Sequence, residues 1–227
     1  LPLQGYGGTE AIILSLAEEW QKAGHQVTVV APEGSVLPEG VELLPVGLRE
    51  SEEAAFAKYR SRLEEFEIIH DHTFQNWAYL PSVGVAPPLP IITTCHTDPS
   101  NWGAPPPLLH PCVVGLSTNH ARQLSLAYGV ATRHVYNGID LQMYSPPPEG
   151  SKRNGRLLWL GRYTSTKDPL SAMQLAKRLR IPLDCYGDVE IVSDPAYIDR
   201  CRAEADGLIV RWYPGVSREK TVELYRT

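Results

Sequence analysis

Short β-branched runs alternate with stretches of helical periodicity along nearly all of this 227-residue chain, which leaves few architectures open. Strands are expected over 27–31, 41–46, 68–72, 90–96, 112–117 and 134–137. The valine-rich first of these reads as buried on both faces, as in a parallel sheet. Between them, Ile13, Leu16, Ala17 and Trp20 form a helical stripe closed by Gly24 as a C-cap. Phe56, Tyr59, Leu63 and Phe66 form another over 51–66, and further helices are expected near 75–83 and over 119–127. Residues 145–155 have the Pro/Gly/polar composition of a linker. The alternation then restarts, with strands at 157–161, 183–187 and 208–212. Helices are expected over 168–179, from Asp194-Pro195, and after a Ser217 cap. The expected fold is therefore α/β with two doubly wound domains, residues 1–144 and 156–227. The second, with three strands, is only partly present. The first lacks the strand of roughly six residues that should precede its opening glycine turn.

That turn, Gln4-Gly5-Tyr6-Gly7-Gly8-Thr9-Glu10, leads directly into the first helix. Glycines without Cβ atoms let backbone N–H groups approach a ligand, and a helix N-terminus carries unpaired donors and partial positive charge. Gly7 and Gly8 are thus candidates for holding a phosphate; a tight turn needing glycine for its backbone angles explains them equally simply. The spacing is not the GxGxxG dinucleotide fingerprint, because Glu10 stands where the third glycine belongs, so a nicotinamide-cofactor site is disfavoured.

Bulk properties remove other classes. The net charge is −5 with no long Lys/Arg run, which disfavours nucleic acid and anionic membrane as partners. No apolar stretch of about 18 residues is present to span a bilayer. Peripheral contact with a membrane stays open. The four cysteines, Cys95, Cys112, Cys185 and Cys201, are dispersed without CxxC spacing and read as reduced thiols of a cytoplasmic protein.

Parallel sheets bind ligands beyond the C-terminal ends of their strands, where His72, His96 and the glycine turn all fall. His96 could equally be a hydrogen-bonded residue of the sheet edge. His70 and His72 share a strand face and Asp71 points away; a metal pair there has no evident third ligand, so no metal site is expected. In the second domain, Arg162 and Lys167 follow a strand end in Gly161-Arg162-Tyr163-Thr164-Ser165-Thr166-Lys167. A planar fork of donors and a mobile point charge in one loop suit a diphosphate, although a solvated loop reads the same way. There is no Asp-x-Asp to hold Mg²⁺ through paired carboxylates.

These segments together resemble family 4 glycosyltransferases of the GT-B fold. The resemblance rests on Gly7-Gly8-Thr9-Glu10, Gly24-His25-Gln26-Val27-Thr28-Val29, Ile69-His70-Asp71-His72 and Thr94-Cys95-His96-Thr97. It continues through Val135-Tyr136-Asn137-Gly138-Ile139-Asp140, Gly161-Arg162 to Lys167, and Gly187-Asp188. It implies two Rossmann-like domains facing across a cleft and transfer of a sugar from a nucleotide-diphosphate-sugar donor to an acceptor hydroxyl, with retention of anomeric configuration. It implies a hexosyltransferase with no cofactor and no protein-bound metal. Arg162 and Lys167 match the diphosphate-binding pair, which Gly7 and Gly8 face. His96 matches a histidine at the donor sugar near the reacting carbon. Asn137 and Gly138 match the interdomain crossover, near the nucleoside and sugar, Gly187 and Asp188 match the strand end beside the nucleoside, and the resemblance implies the acceptor side for Thr9 and His72. Two departures stand out: Asp168 replaces a glycine after the lysine, and the later paired glutamates do not occur within the sequence. A non-catalytic nucleotide-sugar-binding scaffold, or a GT-B epimerase or phosphorylase, are the alternatives.

Overall fold

The computed structural model describes residues 7–48, 50–79, 89–98, 112–189 and 194–227. Its elements fall into two compact units, consisting mainly of Thr9–Ile139 and Asp140–Thr227.

In the first unit, helix α1 (Gly8–Lys22) carries the expected stripe, with Ala17 buried and Trp20 packed on the His70 ring at a centroid distance of 5.3 Å. It ends at Gly24, whose φ of +92° is the left-handed conformation that glycine takes without strain. Strands β1 (Thr28–Pro32) and β2 (Glu42–Val46) pair in parallel, Thr28 opposite Glu42, and the Thr28 hydroxyl donates to the Glu42 carboxylate at 2.7 Å. Strands β3 (Ile69–Asp71), β4 (Ile91–Thr94), β5 (Val113–Gly115) and β6 (Arg133–His134) form a second parallel sheet in that order. The described strands thus make two sheets here rather than one. Against the expectation of burial on both faces, Val30 is 37 % exposed while Val29 and Ala31 on the other face of β1 are buried.

Helix α2 (Glu52–Tyr59) is capped by the Ser51 hydroxyl and buries Phe56. The expected helix over 51–66 does not continue in α form: residues Arg60–Glu65 tighten into a 3-10 helix. In that geometry side chains three apart eclipse, and Arg62 bonds Glu65 at 2.8 Å while also reaching Glu42 on β2. Nor does a helix start at 75. The Glu52 carboxylate accepts from the Phe74 and Gln75 amides, Asn76 turns left-handed at φ +54°, and only a short 3-10 turn, Trp77–Tyr79, follows. Residues 80–83 of that expectation lie outside the described residues, as does the Gln4-Gly5-Tyr6 start of the glycine turn. Helix α3 (Thr118–Tyr128) is capped by Ser117 and stopped by left-handed Gly129. It approaches β5 so closely that a Cβ on Gly115 would meet the Ala121 backbone nitrogen at 2.7 Å.

In the second unit, β7 (Leu157–Leu160), β8 (Leu183–Gly187) and β9 (Val210–Pro214) form a parallel sheet with β8 central. Helices α4 (Pro169–Leu179) and α5 (Pro195–Glu204) start at Asp-Pro pairs, each aspartate accepting from an amide of the first turn. They cover a core of Met173, Ala176, Cys185, Tyr197, Cys201 and Val210. Arg156 ties the strands together at its own end: its guanidinium bonds Asp184 at 2.8 Å and the carbonyls of Leu183 and Ile209. Strand β9 begins two residues later than expected, because the Asp206 carboxylate holds the amides of Leu208, Ile209 and Val210 in a turn. Helix α6 (Arg218–Arg226) is capped by Ser217. The cysteines are free thiols, Cys112 exposed and the others buried, and none of the described helices is long and apolar enough to cross a membrane.

Candidate functional site

Each unit gathers one group of the candidate residues at the C-terminal edge of its sheet. In the first, parallel pairing of β3 and β4 sets His70 opposite Ile92, so the residues just beyond both strands emerge side by side. There, Nδ1 of His72 and Nε2 of His96 are 2.8 Å apart. The rings touch in series: His70 is tilted against His72 at 4.1 Å between centroids, His72 stacks on His96 at 5.1 Å, and Trp20 is tilted against His70 at 5.3 Å. His70 Nε2 meets the Thr94 hydroxyl at 2.7 Å.

His120, from the first turn of α3, adds a clamp that the sequence reading did not single out. Its Nδ1 accepts from the Leu116 amide at 3.1 Å, so the ring hydrogen sits on Nε2 and donates to the Thr97 carbonyl at 2.9 Å. The only signal in the sequence was its place three residues after the Ser117 cap. His72, Thr73, Asn76, Cys95, His96 and Thr97 are among the lining of a small pocket of about 20 Å3. Asn76 is buried there, and its Oδ1 has no hydrogen-bond partner.

Burial pushes these histidines toward the neutral form. His70 is lowered to about 4, by desolvation and then by His96; His72 to about 3, by desolvation and then by His70 and His96. His96 is lowered by desolvation and by His120, against an opposing pull from the Glu10 carboxylate of α1. Asp71, between His70 and His72 at the end of β3, is buried, its Oδ1 accepts from the Thr73 amide, and desolvation raises its pKa.

A stability prediction follows. Below the ordinary histidine pKa the unfolded chain takes up protons that folded His70 and His72 refuse, so stability falls as pH drops from about 6.5 toward their folded values. At pH 5 each contributes a loss of about 1–2 kcal/mol relative to pH 7.5. Asp71 acts in the opposite sense, holding a proton in the folded state above the ordinary carboxyl value, and offsets part of this. Denaturant midpoints at the two pH values should differ accordingly, and less in the His70→Phe/His72→Phe double variant. Equal midpoints for the unsubstituted chain would contradict the burial of neutral rings.

In the second unit, the loop from Gly161 to Asp168 is folded on itself and onto the sheet. The Gly161 amide bonds Tyr186 O, the Tyr163 amide bonds Asp188 O, and the Lys167 and Asp168 amides both bond Thr164 O. Tyr163 anchors it. Fully buried, Tyr163 stacks on Trp212 at 3.5 Å and Trp159 at 5.4 Å between centroids, and its hydroxyl lies 2.8 Å from Cys185 O and 3.0 Å from Tyr213 O. Nothing in the loop's motif marked Tyr163; its role depends on tryptophans brought together only by the sheet. Arg162 immediately precedes this anchor and is half-buried, and Lys167 is exposed at the entrance to α4. Asp168, where the resemblance expects glycine, has a left-handed backbone (φ +46°). Its carboxylate accepts from the Ser171 amide at 3.2 Å and the Tyr197 hydroxyl at 3.3 Å, a helix cap that offsets the cost of the conformation. Gly187 lies against the Gly161 carbonyl and the Tyr163 ring, and Asp188 follows it.

The remaining candidates lie on other elements. Thr9 lies in the first turn of α1, half-buried, and Gly8, its first residue, faces open space. Asn137 and Gly138 are exposed beyond β6, which stops at His134 rather than running to 137; only the Val135 amide still bonds the sheet, at Gly115 O. Among the described residues, no group of three His, Cys, Asp or Glu side chains is arranged to hold a metal ion.

The comparisons with known proteins give these features a context. Residues 6–143 match the model of Glycosyltransferase Family 4, and the chain belongs to that family. Among solved structures it is similar to AviGT4, a glycosyltransferase involved in Avilamycin A biosynthesis, with a TM-score of 0.70 and 21 % identity over 97 % of this chain. It is also similar to Alr3699/HepE of Anabaena, solved in complex with UDP, with a TM-score of 0.66 and 13 % identity over 96 % of this chain. The architecture is thus the α/β fold with parallel sheets of GT-B glycosyltransferases. The chain spans 60 % of the length of AviGT4 and 69 % of that of HepE. No curated protein matches the sequence.

Proposed function

We propose that the complete protein is a retaining glycosyltransferase that moves a sugar, of the hexose class, from a nucleotide-diphosphate donor to an acceptor hydroxyl. The observation that carries this reading is the loop Gly161–Asp168. In a family 4 chain, it sets a guanidinium and an ammonium group on a strand-end turn whose shape is fixed by a buried tyrosine. Breaking the bond between the sugar's anomeric carbon and the phosphate oxygen builds negative charge on the departing diphosphate. Cations carried on a turn that is already formed stabilise that charge with little backbone reorganisation during the reaction. Arg162 is assigned the bidentate contact and Lys167 the mobile one, and Gly7 and Gly8 are assigned as further donors to the diphosphate, so a protein-held metal is not required. Gly187 and Asp188 border the nucleoside, His96 the donor sugar, and Thr9 and His72 the acceptor; Asn137 and Gly138 form the crossover. That HepE was solved with UDP supports a nucleotide in this role.

The test is a thermal-shift screen of the complete protein against UDP-, GDP- and ADP-sugars, followed by NMR of any product. A ligand bound only by the folded state raises the melting temperature, and the product should keep the donor's anomeric configuration. Binding without transfer to any acceptor would favour a scaffold subunit, and inversion would reject the retaining mechanism.

A further inference from the structure

The His72–His96 pair contains more than the assignment of His96 requires. Two neutral imidazoles joined by one hydrogen bond keep one proton in the bond and one on an outer nitrogen. If His96 donates from Nε2, its Nδ1 is bare and His72 carries hydrogen on Nε2. If His72 donates from Nδ1, the two roles exchange. In either case the outer nitrogens of the pair offer one donor and one acceptor, the complement of a hydroxyl group, which does both. An imidazole without such a partner exchanges between its tautomers and offers no fixed pattern.

The surroundings hold the pair rigidly. His72 lies between His70 and His96, with centroids at 4.1 and 5.1 Å, and His70 is itself fixed by Thr94 and by Trp20 of α1. The chain after His96 is held by His120, whose Nε2 hydrogen reaches the Thr97 carbonyl at 2.9 Å. The backbone of His96 is thereby set from one side and its ring from the other. Both rings line the same small pocket, where the buried Asn76 Oδ1 is a further unfilled acceptor.

We propose that His72 is a positioning residue for His96, fixing through the 2.8 Å Nδ1–Nε2 hydrogen bond which way the ring faces and coupling its tautomer to that of His72, both rings carrying hydrogen on Nε2 or both on Nδ1. Its catalytic consequence rests on the reading of His96 as the residue beside the donor sugar; the tautomer itself does not.

Nitrogen-15 NMR of the imidazoles in this chain reads the tautomer directly, and kinetics of the complete enzyme read the consequence. In the unsubstituted protein His72 and His96 should show the same tautomer at pH 7, both protonated on Nε2 or both on Nδ1. In His72→Phe both nitrogens of His96 should move to averaged values, with kcat down about tenfold or more and KM changed by less than about threefold. His72→Asn, whose amide can occupy the place of Nδ1, should restore the single tautomer and most of kcat. His70→Phe, which perturbs the same stack without touching the bond, should leave the His96 tautomer unchanged. Circular dichroism of each variant establishes that it is folded. Identical His96 nitrogens in the unsubstituted chain and folded His72→Phe would overturn the proposal, whatever happens to transfer. An altered tautomer in a protein that transfers no sugar would uphold the positioning and reject the enzymatic reading instead.

Discussion

Arg162→Ala and Lys167→Ala, each made in the complete enzyme, are expected to lower sugar transfer by about 10²–10³-fold, the usual loss when one preorganised donor to developing charge is removed. The size follows from where the charges sit. The loop backbone is tied to Tyr186 O on β8, to Asp188 O just beyond it and to itself through Thr164 O, so the turn that carries both cations is already formed when the donor arrives. Arg162→Lys should recover only part of the loss, because an ammonium group cannot reproduce a fork of two parallel hydrogen bonds. The unfolding midpoint should stay close to that of the parent: the anchor of the loop is the buried Tyr163, which both variants retain. Steady-state transfer rates together with denaturation curves check this. Near-normal rates in both variants would mean that the diphosphate lies elsewhere.

Gly187→Ala should have the largest effect on folding, about 3 kcal/mol, severe overpacking in a fixed backbone. A Cβ there would run into the Gly161 carbonyl oxygen and come within 2.9 Å of the Tyr163 ring. Neither can retreat. The Gly161 amide is bonded to β8, and Tyr163 is held by its stacked tryptophans. Gly138→Ala is the contrast, since a Cβ at Gly138 meets nothing within 4 Å and should change stability by less than about 0.5 kcal/mol. Chemical denaturation of the two variants gives the comparison. The resemblance placed both glycines near the donor; the packing gives Gly187 a structural role beside that one, and gives Gly138 none.

Where local chemistry decides the structure, the sequence was enough. Asp168-Pro169 and Asp194-Pro195 open helices where expected, Ser217 caps the last one, and the run at 183–187 is the central strand of its sheet. These signals depend on a residue and its next three neighbours. Expectations slipped where a distant side chain intervened: Asp206 delays β9, Glu52 captures the amides before Asn76, and Arg62 bridges to Glu42 across the chain. The candidate site divides in the same way. His72, His96, Arg162 and Lys167 were legible as polar groups at strand ends. His120, Tyr163 and Trp212 were not, because each acts on a residue 23 to 50 positions away in sequence. The partners that orient a site come from other elements of the fold, and no spacing along the chain announces them.

The most direct measurement is a crystal structure of the complete protein with its donor nucleotide bound. The account predicts the diphosphate within hydrogen-bond reach of the Arg162 guanidinium and the Lys167 ammonium, with the nucleoside beside Gly187. A diphosphate bound beyond the reach of both side chains would contradict it.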